Sequence, residues 1–380
     1  MYVQQSYKLN GLDHLRAIAI ILVLLFHYRM FYHPDWIDTV GVYGWTGVDL
    51  FFVLSGYLIS SQLFREIGQS GSFSGRTFFI KRVFRILPPY LLVLGVYFLV
   101  PGSHEREALA PFWRYLSFTQ NFGLDLSRHG TFSHAWSLCV EEQFYLLLPL
   151  TLLLFIRVDW LRRAWILLPV LFLGGLALRW YGFDHFVAAE PDGTRAVLNW
   201  YEFLYYPTYN RLDGLLAGIS IAAVFHYCQR WRAALERRHW LLLLAGLLVL
   251  AIAAVFLSDQ YVWLSTVFVF PVVSIGFGLI VAASVSPRNF MYKSGSFLTS
   301  WLATLSYSIY LSHKIVIHVV QLLLEKTGID VKGNTAFLVC MFVCILVALL
   351  MHLLVEKPIL RWRSRVLAGN VQGKTQTVPL

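Results

Sequence analysis

An arginine and a histidine share one apolar segment near the start of the chain. In LDHLRAIAIILVLLFH, residues 12–27, Arg16 and His27 are eleven positions apart. A helix turns about 100° per residue, which brings them to within about 20° of the same face, about 16 Å apart along its axis. Asp13 joins the same stripe. A snorkelling arginine and a packing histidine are the plainer interpretations of each residue alone, but other polar groups favour a chemical role.

Two adjacent carboxylates lie in another apolar segment, WSLCVEEQFYLLLPL. Glu141 and Glu142 fall a full turn or more inside the predicted helix and point about 100° apart, so one can face the bundle while the other caps or pairs. A carboxylate that orients a histidine is a common general-base arrangement. We therefore expect His27 to act with one of them, and the sequence leaves open which. The same segment contributes Trp136 and Ser137 as pocket-lining or structural groups.

Further polar side chains occupy apolar segments, where a charge at a helix centre costs about 2.5–3.5 kcal/mol. We expect the following residues to line a pocket or to pack as structural polar groups: Asp13, Asp49, Ser55, Arg211, Asp213, Tyr307, Tyr310 and His313. Small residues such as Ser55 and Gly56 also favour close helix packing. At Arg211 and Asp213 a structural ion pair competes with a binding role.

A pair of arginines precedes two prolines in IKRVFRILPPY. Arg82 and Arg85 are three residues apart, on one face of a helix. Most arginines at such positions only reflect the excess of positive charge in cytoplasmic loops, but the pair also suits phosphate groups. A cosubstrate bound by Arg16, Arg82 and Arg85, with an arm reaching His27, matches acyl-CoA, whose pantetheine arm spans the ~16 Å set by the helix rise.

The elements that position these groups are membrane helices. The chain has 380 residues, of which 58% are hydrophobic and 14% charged, a composition typical of integral membrane proteins. About 20 apolar residues cross ~30 Å of hydrocarbon as a helix, and the sequence predicts an all-α, polytopic membrane helix bundle. About ten spans are predicted, at 10–29, 44–64, 86–101, 135–156, 163–180, 211–229, 239–257, 262–284, 298–322 and 335–355.

Loop charges predict the orientation. Lys and Arg gather in alternate loops, which places both termini in the cytoplasm and accounts for the net charge of +10 without nucleic acid. Residues 1–365 are predicted to form one membrane domain and residues 366–380 a disordered tail. The first helix retains Arg16, so no cleaved signal is expected. The four cysteines indicate neither disulfides nor zinc, and no metal is expected.

Two longer segments, 102–134 and 181–210, are predicted on the outer side and are rich in aromatic residues. Flat amphipathic rings can stack on sugars, but tryptophan and tyrosine also gather at membrane interfaces. The sequence does not decide between these two roles.

Together these motifs closely resemble the acyltransferase-3 family of integral membrane acyltransferases. The resembling segments follow in the family's order from about residue 10 to 360 and are LDHLRAIAIILVLLFH, GVDLFFVLSGYLIS, IKRVFRILPPY, WSLCVEEQFYLLLPL, RLDGLLAG and SYSIYLSH. Three departures, His14 for glycine, Cys139 for serine and Ser312 for tryptophan, remove no proposed catalytic group. The match covers nearly the whole chain.

The resemblance implies transfer of an acyl group, commonly acetyl from acetyl-CoA, to a hydroxyl of a carbohydrate or glycolipid such as lipopolysaccharide, capsule or peptidoglycan, in a bacterial cytoplasmic membrane. By matched position, Arg16 and His27 correspond to the family's essential pair. Arg82 and Arg85 correspond to its arginine motif. Some relatives carry an esterase-like domain after the last helix, and we expect this chain to lack one. The membrane domain is therefore expected to complete the transfer itself or to pass the acyl group to a separate partner.

Alternatives remain open at the level of sequence. Direct transfer and a covalent acyl-histidine both fit the residues, and the donor can be acetyl or a longer or charged group such as succinyl. A transporter or flippase would use the same intramembrane polar groups as a relay, although the sequence contains no inverted repeat. The oligomeric state is not predicted.

Overall fold

The computed structural model describes residues 10–256 and 259–375, with side chains described as far as residue 367. Every regular element in this part of the chain is helical, which confirms the predicted all-α class. The first eight helices are α1 Asn10–Tyr28, α2 Trp36–Gly41, α3 Thr46–Ser70, α4 Gly75–Leu99, α5 Phe112–Leu116, α6 Trp136–Arg157, α7 Leu167–Gly182 and α8 Gly193–Asn199. The other eight are α9 Asp213–Tyr227, α10 Gln229–Arg237, α11 His239–Phe256, α12 Trp263–Ser284, α13 Phe290–Lys293, α14 Phe297–Lys326, α15 Asn334–Met351 and α16 Lys357–Thr375.

Nine helical stretches of the described chain are long and apolar enough to cross a membrane. The prediction of about ten spans differs at the sixth, 211–229. There the structure forms α9, whose 15 residues are fewer than the roughly 20 that cross ~30 Å of hydrocarbon. The apolar run is visible in the sequence. However, Arg211 precedes α9 and Asp213 is its first residue, so the helix is shorter than the run.

The third predicted span, 86–101, was placed too late. Helix α4 begins at Gly75, where the hydroxyl of Ser74 caps it by accepting a hydrogen bond from the amide of Thr77 at 3.2 Å. Pro88 and Pro89 lie in the middle of the helix rather than in its first turn. Arg82 and Arg85 therefore lie on α4, one turn apart, as their spacing indicated.

The chain forms two compact units. The first unit comprises Met1–Phe26, Val40–Ser72 and Arg106–Thr304. Within it α3 packs closely against α9, because Gly56 faces the backbone of Leu215 and a side chain there would collide with it. This contact confirms the packing interpretation of Gly56.

The long segments predicted on the outer side also pack within the first unit. The amide of Asn121 donates to the carbonyl oxygen of Tyr206 at 3.1 Å and to the hydroxyl of Thr208 at 2.9 Å. The amide of Gln143, on α6, donates to the carbonyl oxygen of Phe118 at 2.7 Å. Buried polar groups need such partners, so these bonds fix the two segments to each other and to α6.

The second unit comprises His27–Thr39, Phe73–Glu105 and Leu305–Leu380. Its core includes Tyr28, whose ring meets Phe337 edge-on at 5.1 Å between centroids. The indole of Trp36 donates to the side-chain oxygen of Asn334 at 2.8 Å. These contacts join the end of α1 to α15.

The predicted disordered tail, 366–380, differs from the structure over part of its length. Helix α16 continues to Thr375, so 366–375 are helical, and 376–380 lie outside the described residues. A stretch rich in polar residues can extend a helix when the helix propensity of its residues is adequate. Polar composition alone does not show this.

Candidate active site

The second unit brings together two histidines that belong to different sequence motifs. His27, at the end of α1, and His313, on α14, are 7% and 0% exposed. Nδ1 of His27 lies 2.9 Å from Nε2 of His313. His313 was predicted only as a pocket-lining or packing group, whereas the structure makes it a direct hydrogen-bond partner of the predicted base.

The other nitrogen of His313 fixes the direction of this hydrogen bond. Its Nδ1 lies 2.8 Å from the carbonyl oxygen of Tyr310 and 3.1 Å from that of Ile309. Carbonyl oxygens only accept, so Nδ1 of His313 carries the proton. Neutral His313 then accepts at Nε2 from Nδ1–H of His27. The lone pair of neutral His27 consequently resides on Nε2, the nitrogen that can take a proton from a substrate.

A buried ion pair lies next to this histidine pair in the sequence. Nζ of Lys314 is 3.0 Å from Oε1 of Glu105, and their side chains are 2% and 1% exposed. The Glu105 carboxylate balances the ammonium charge of Lys314, the residue after His313. A lysine inside an apolar helix is itself a signal of a buried partner, but the sequence did not indicate that Glu105 supplies it.

The predicted phosphate-binding arginines also belong to the second unit. Arg82 is half-buried, with its guanidinium 5.6 Å from the centroid of the Phe78 ring, and Arg85 is exposed. Arg363 of α16 is near enough to Arg85 for their charges to repel, and its Nε is buried without a hydrogen-bond partner. We call Arg82, Arg85 and Arg363 the basic cluster.

Ring packing explains why the basic cluster forms. The rings of Phe84 and Trp362 contact each other at 5.1 Å between centroids and join α4 to α16. Arg363 was missed because the motif RWRSR near the C-terminus looks like ordinary cytoplasmic charge. Positive charges held together by packing form a surface suited to an anion such as phosphate.

Glu141 has a hydrogen-bond network of its own in the first unit. The hydroxyl of Ser55 donates to Oε1 of Glu141 at 2.9 Å, and that of Tyr145 lies 3.1 Å from both Oε2 of Glu141 and the Ser55 oxygen. Ser55 thus bonds to a predicted catalytic carboxylate as well as lying beside Gly56. Glu142 is half-buried on the same helix, α6. The pairing of His27 with either glutamate stays a prediction.

Asp13 and Arg16 form an ion pair one turn apart on α1. Their closest atoms are 3.2 Å apart, and the side chains are 19% and 27% exposed, respectively. The hydroxyl of Ser300 lies 3.5 Å from the other carboxylate oxygen of Asp13. His14, the departure from the family's glycine, is held between the carbonyl oxygen of Ser294 and the hydroxyl of Thr299, at 2.8 Å from each.

Arg211 does not pair with Asp213, two residues away, as the sequence suggested. Its Nη2 lies 3.0 Å from Oδ1 of Asp49, and neither side chain is more than 3% exposed. The guanidinium carbon is 3.8 Å from the ring centroid of Phe270, 4.7 Å from that of Tyr205 and 5.2 Å from that of Trp136. Aromatic faces stabilise a desolvated cation, so Trp136 is part of an aromatic wall around Arg211.

Asp213 pairs instead with Arg179, near the end of α7. Both carboxylate oxygens accept from this guanidinium, at 2.7 and 3.1 Å. Arg179 also donates to the carbonyl oxygens of Asn210 at 2.6 Å and Val267 at 3.2 Å. An arginine near a helix C-terminus looks like a helix-capping residue, which is why the sequence gave no signal for this buried pair.

The remaining predicted residues have packing positions. Ser137 is buried on α6, at 5% exposure, and Tyr310 is buried on α14, with its ring centroid 6.0 Å from that of His313. The hydroxyl of Tyr307 donates to the carbonyl oxygen of Ile86 at 3.0 Å, next to the prolines of α4. No group of three His, Cys, Asp or Glu side chains able to hold a metal occurs among the described residues.

These helices, with ionised and hydrogen-bonded groups buried between them, define a multi-pass integral membrane protein with polar groups in its core. Residues 9–353 match the acyltransferase domain that defines the acyltransferase 3 family. The chain belongs to this family.

Similar proteins are bacterial. The chain is 29% identical over 340 residues to the peptidoglycan O-acetyltransferase OatA of Listeria monocytogenes, covering 83% of this chain and 50% of that protein. It is 28% identical over 387 residues to the putative peptidoglycan O-acetyltransferase YrhL of Bacillus subtilis, covering 94% and 55%. A putative O-acetyltransferase of Staphylococcus aureus strain COL, SACOL0978, is 35% identical over 172 residues, covering 41% and 27%.

The chain therefore spans about half the length of the first two relatives. No solved structure matches it.

Proposed function

We propose that this protein is a membrane O-acyltransferase that moves an acyl group, acetyl in the simplest case, from acyl-CoA to a hydroxyl of a carbohydrate. The observation that carries the proposal is the buried hydrogen bond from His27 to His313, at 2.9 Å, which directs the basic nitrogen of His27 away from its partner. The names of the relatives support an acetyl donor and, for two of them, a peptidoglycan acceptor.

The reaction balances with His27 as the general base. Nε2 of His27 takes the proton of the acceptor hydroxyl while the oxygen attacks the thioester carbonyl. The bond from carbonyl carbon to sulfur then breaks, and the imidazolium returns its proton to the departing thiolate. The products are the O-acyl ester and free CoA, and the histidine ends in its starting state.

His313 is a positioning residue in this scheme. It touches His27 and not the substrate, and its backbone-bonded Nδ1 prevents the ring from rotating to another acceptor. A partner that fixes the tautomer of a catalytic imidazole strengthens it as a base. The orientation of His27 by Glu141 or Glu142 stays a prediction from the sequence.

The basic cluster is proposed to bind the phosphate groups of acyl-CoA. The same role for Arg16 stays a prediction from the sequence. Arg82 and Arg85 come from the sequence motif, and Arg363 adds a guanidinium whose buried Nε has no protein partner. A multiply charged anion would offset the repulsion between Arg85 and Arg363.

Reconstituted protein and labelled acetyl-CoA test the proposed activity. In proteoliposomes supplied with a peptidoglycan disaccharide, mass spectrometry should find an O-acetyl ester of the sugar and an equal amount of free CoA. A transporter would instead move the label or the sugar across the membrane without making an ester. Absence of both ester and sugar-dependent CoA release from folded wild-type protein would refute the proposal.

A binding measurement tests the basic cluster separately. Arg82→Ala, Arg85→Ala and Arg363→Ala should each weaken acetyl-CoA binding about tenfold to a hundredfold, since a charged hydrogen bond contributes about 1.5–3 kcal/mol. Arg361→Ala is the matched control, because Arg361 is exposed on the same helix as Arg363. Equal dissociation constants for Arg363→Ala and Arg361→Ala would remove Arg363 from the site.

A further inference from the structure

A cavity with polar and apolar walls lies in the second unit, between the segments that follow His27 and His313 in the chain. Its volume is about 390 Å³, inside the range of about 300–1,000 Å³ common for small-molecule sites. The segment after α1 forms one wall and the last part of α14 the other. Arg29 follows His27 by two residues, and His318 follows His313 by five, which is about 7.5 Å along a helix.

The walls combine groups of different hydrogen-bonding character. The polar side chains and the tyrosine that line the cavity are Arg29, Tyr32, His318, Gln321 and Glu325, and the apolar ones are Met30, Phe31 and Leu322. Arginine only donates, a carboxylate only accepts and a neutral imidazole does both. A ligand that has hydroxyl groups, each a donor and an acceptor, and also an apolar face suits this mixture of walls better than a simple anion does.

Gln321 gives the cavity a preformed shape. Its amide nitrogen donates to the hydroxyl of Tyr28 at 3.2 Å and to the carbonyl oxygen of Tyr32 at 2.6 Å. Its amide oxygen accepts from the backbone N–H of Tyr32 at 3.2 Å. The side chain is buried, at 5% exposure, so these three bonds hold the segment after α1 against α14.

The fixed backbone leaves the ring of Tyr32 exposed on the protein surface. This residue is 54% exposed, although both of its backbone polar groups are bonded to Gln321. Arg29 is anchored as well, with Nε 2.9 Å from Oδ1 of Asp38. An exposed aromatic ring next to fixed polar groups matches a sugar ring, which has an apolar face and a rim of hydroxyl groups.

We infer that this cavity binds the saccharide unit whose hydroxyl is acylated, with Tyr32 against the sugar face and Arg29, His318 and Glu325 on its hydroxyl groups. The inference rests on the proposed function, because His27 supplies the base. The loop charges predict that this end of α1 faces the outside, where a surface glycan would approach. Sugar binding here would bring a hydroxyl toward the histidine pair.

Binding to an inactive variant tests the cavity without turnover. The host is full-length His27→Ala in nanodiscs, and the probe is the disaccharide of N-acetylglucosamine and N-acetylmuramic acid, titrated by calorimetry. Adding Glu325→Gln or Tyr32→Ala should weaken binding about tenfold. Asp35→Asn is the matched control and should bind normally, because Asp35 lies outside the cavity on the same segment.

Kinetics in the active protein distinguish the failure of the inference from that of the proposed function. Tyr32→Ala and Glu325→Gln should raise KM for the disaccharide about tenfold, while kcat and the acetyl-CoA dissociation constant stay unchanged. If His27→Ala abolishes transfer but these variants leave KM and disaccharide binding at wild-type values, the cavity is not the acceptor site. If wild-type protein transfers acetyl to a different acceptor and neither it nor the host binds the disaccharide, the cavity does not take a peptidoglycan saccharide.

Discussion

The two units each bury polar groups among apolar helices, but they do so in different ways. In the first unit, Asp49 with Arg211 and Asp213 with Arg179 form ion pairs whose side chains are almost fully buried. The second unit also buries an ion pair, Lys314 with Glu105, but beside it His27 and His313 share one hydrogen bond that needs no net charge. A buried ion pair is stable only while both of its groups stay charged, whereas a neutral histidine pair can gain and lose a proton. The first arrangement therefore suits structure and the second suits catalysis.

Breaking an ion pair of the first unit should have the largest effect on stability. Arg179→Met leaves the Asp213 carboxylate buried without its guanidinium, and we expect the free energy of unfolding to fall by about 3–5 kcal/mol. Thermal or denaturant unfolding in detergent measures this. Replacing both partners, Arg179→Met with Asp213→Leu, should recover most of the loss, since no charge is then left unpaired. A single variant as stable as the wild type would contradict the structural role.

Removing the partner of the base should affect turnover rather than stability. His313→Leu removes the acceptor for Nδ1–H of His27, and we expect kcat to fall about tenfold to a hundredfold with KM unchanged, since each tenfold step is about 1.4 kcal/mol. His313→Gln retains an acceptor oxygen and should keep more of the activity. The pH dependence of kcat should shift in His313→Leu. Equal kcat values and pH profiles in the two variants would mean that His313 only packs.

Glu141 tests whether the first unit also contributes to chemistry. Glu141→Gln keeps the size of the side chain and removes its charge, and we expect kcat to fall more than in Tyr145→Phe, which removes one hydrogen bond of about 1 kcal/mol. Parallel assays of Glu142→Gln show which glutamate assists His27. If neither glutamine variant lowers kcat below that of Tyr145→Phe, the carboxylates are structural.

The smallest effects are expected where the outer segments of the first unit meet. Arg195 lies 3.7 Å from both Asp125 and Glu202. Burial acts to raise the pKa of Asp125, but the hydroxyl and amide of Ser127 and the nearby arginines outweigh it, so this pKa lies below its usual value. Burial and Asp125 raise the pKa of Glu202 despite Arg195.

These opposite shifts give opposite pH dependences. A lowered pKa of Asp125 means that its carboxylate stabilises the fold above the unfolded value of about 3.9, and this stability is lost as the pH falls. Asp125→Asn should therefore lower the unfolding temperature at pH 7 and lose this effect below about pH 4. Glu202→Gln should raise it at pH 7 and lose the gain below about pH 4. Unfolding scans across this range with the same sign for both variants would contradict the assigned shifts.

Much of the helical fold could be predicted because long apolar runs have only one stable form in hydrocarbon. The start of α4 could not, because a basic stretch followed by Pro88 and Pro89 is typical of a loop. The length of α9 was also missed, since hydropathy alone does not show that Arg211 is buried by aromatic rings rather than exposed. The polar residues in apolar segments could be identified from the sequence, but their hydrogen-bond and ion-pair partners could not.

For the candidate site, the sequence did not show which side chains contact each other. His27, Arg16 and Glu141 stand out because polar groups are rare in apolar segments. The contact between His27 and His313 joins residues 286 positions apart in the sequence, and no local pattern encodes such a contact. Arg363 was hidden by an ordinary explanation, the charge of cytoplasmic segments. Only tertiary packing identifies it as a neighbour of Arg85.

The central claim, that His27 is the base, is tested most directly by the single-turnover rate of acetyl transfer in His27→Ala. The measurement uses saturating acetyl-CoA and acceptor and protein whose unfolding temperature matches that of the wild type. We expect the rate to fall about 10²–10⁴-fold, the usual contribution of general-base catalysis. A rate within about twofold of the wild type would contradict the assignment of His27 as the base.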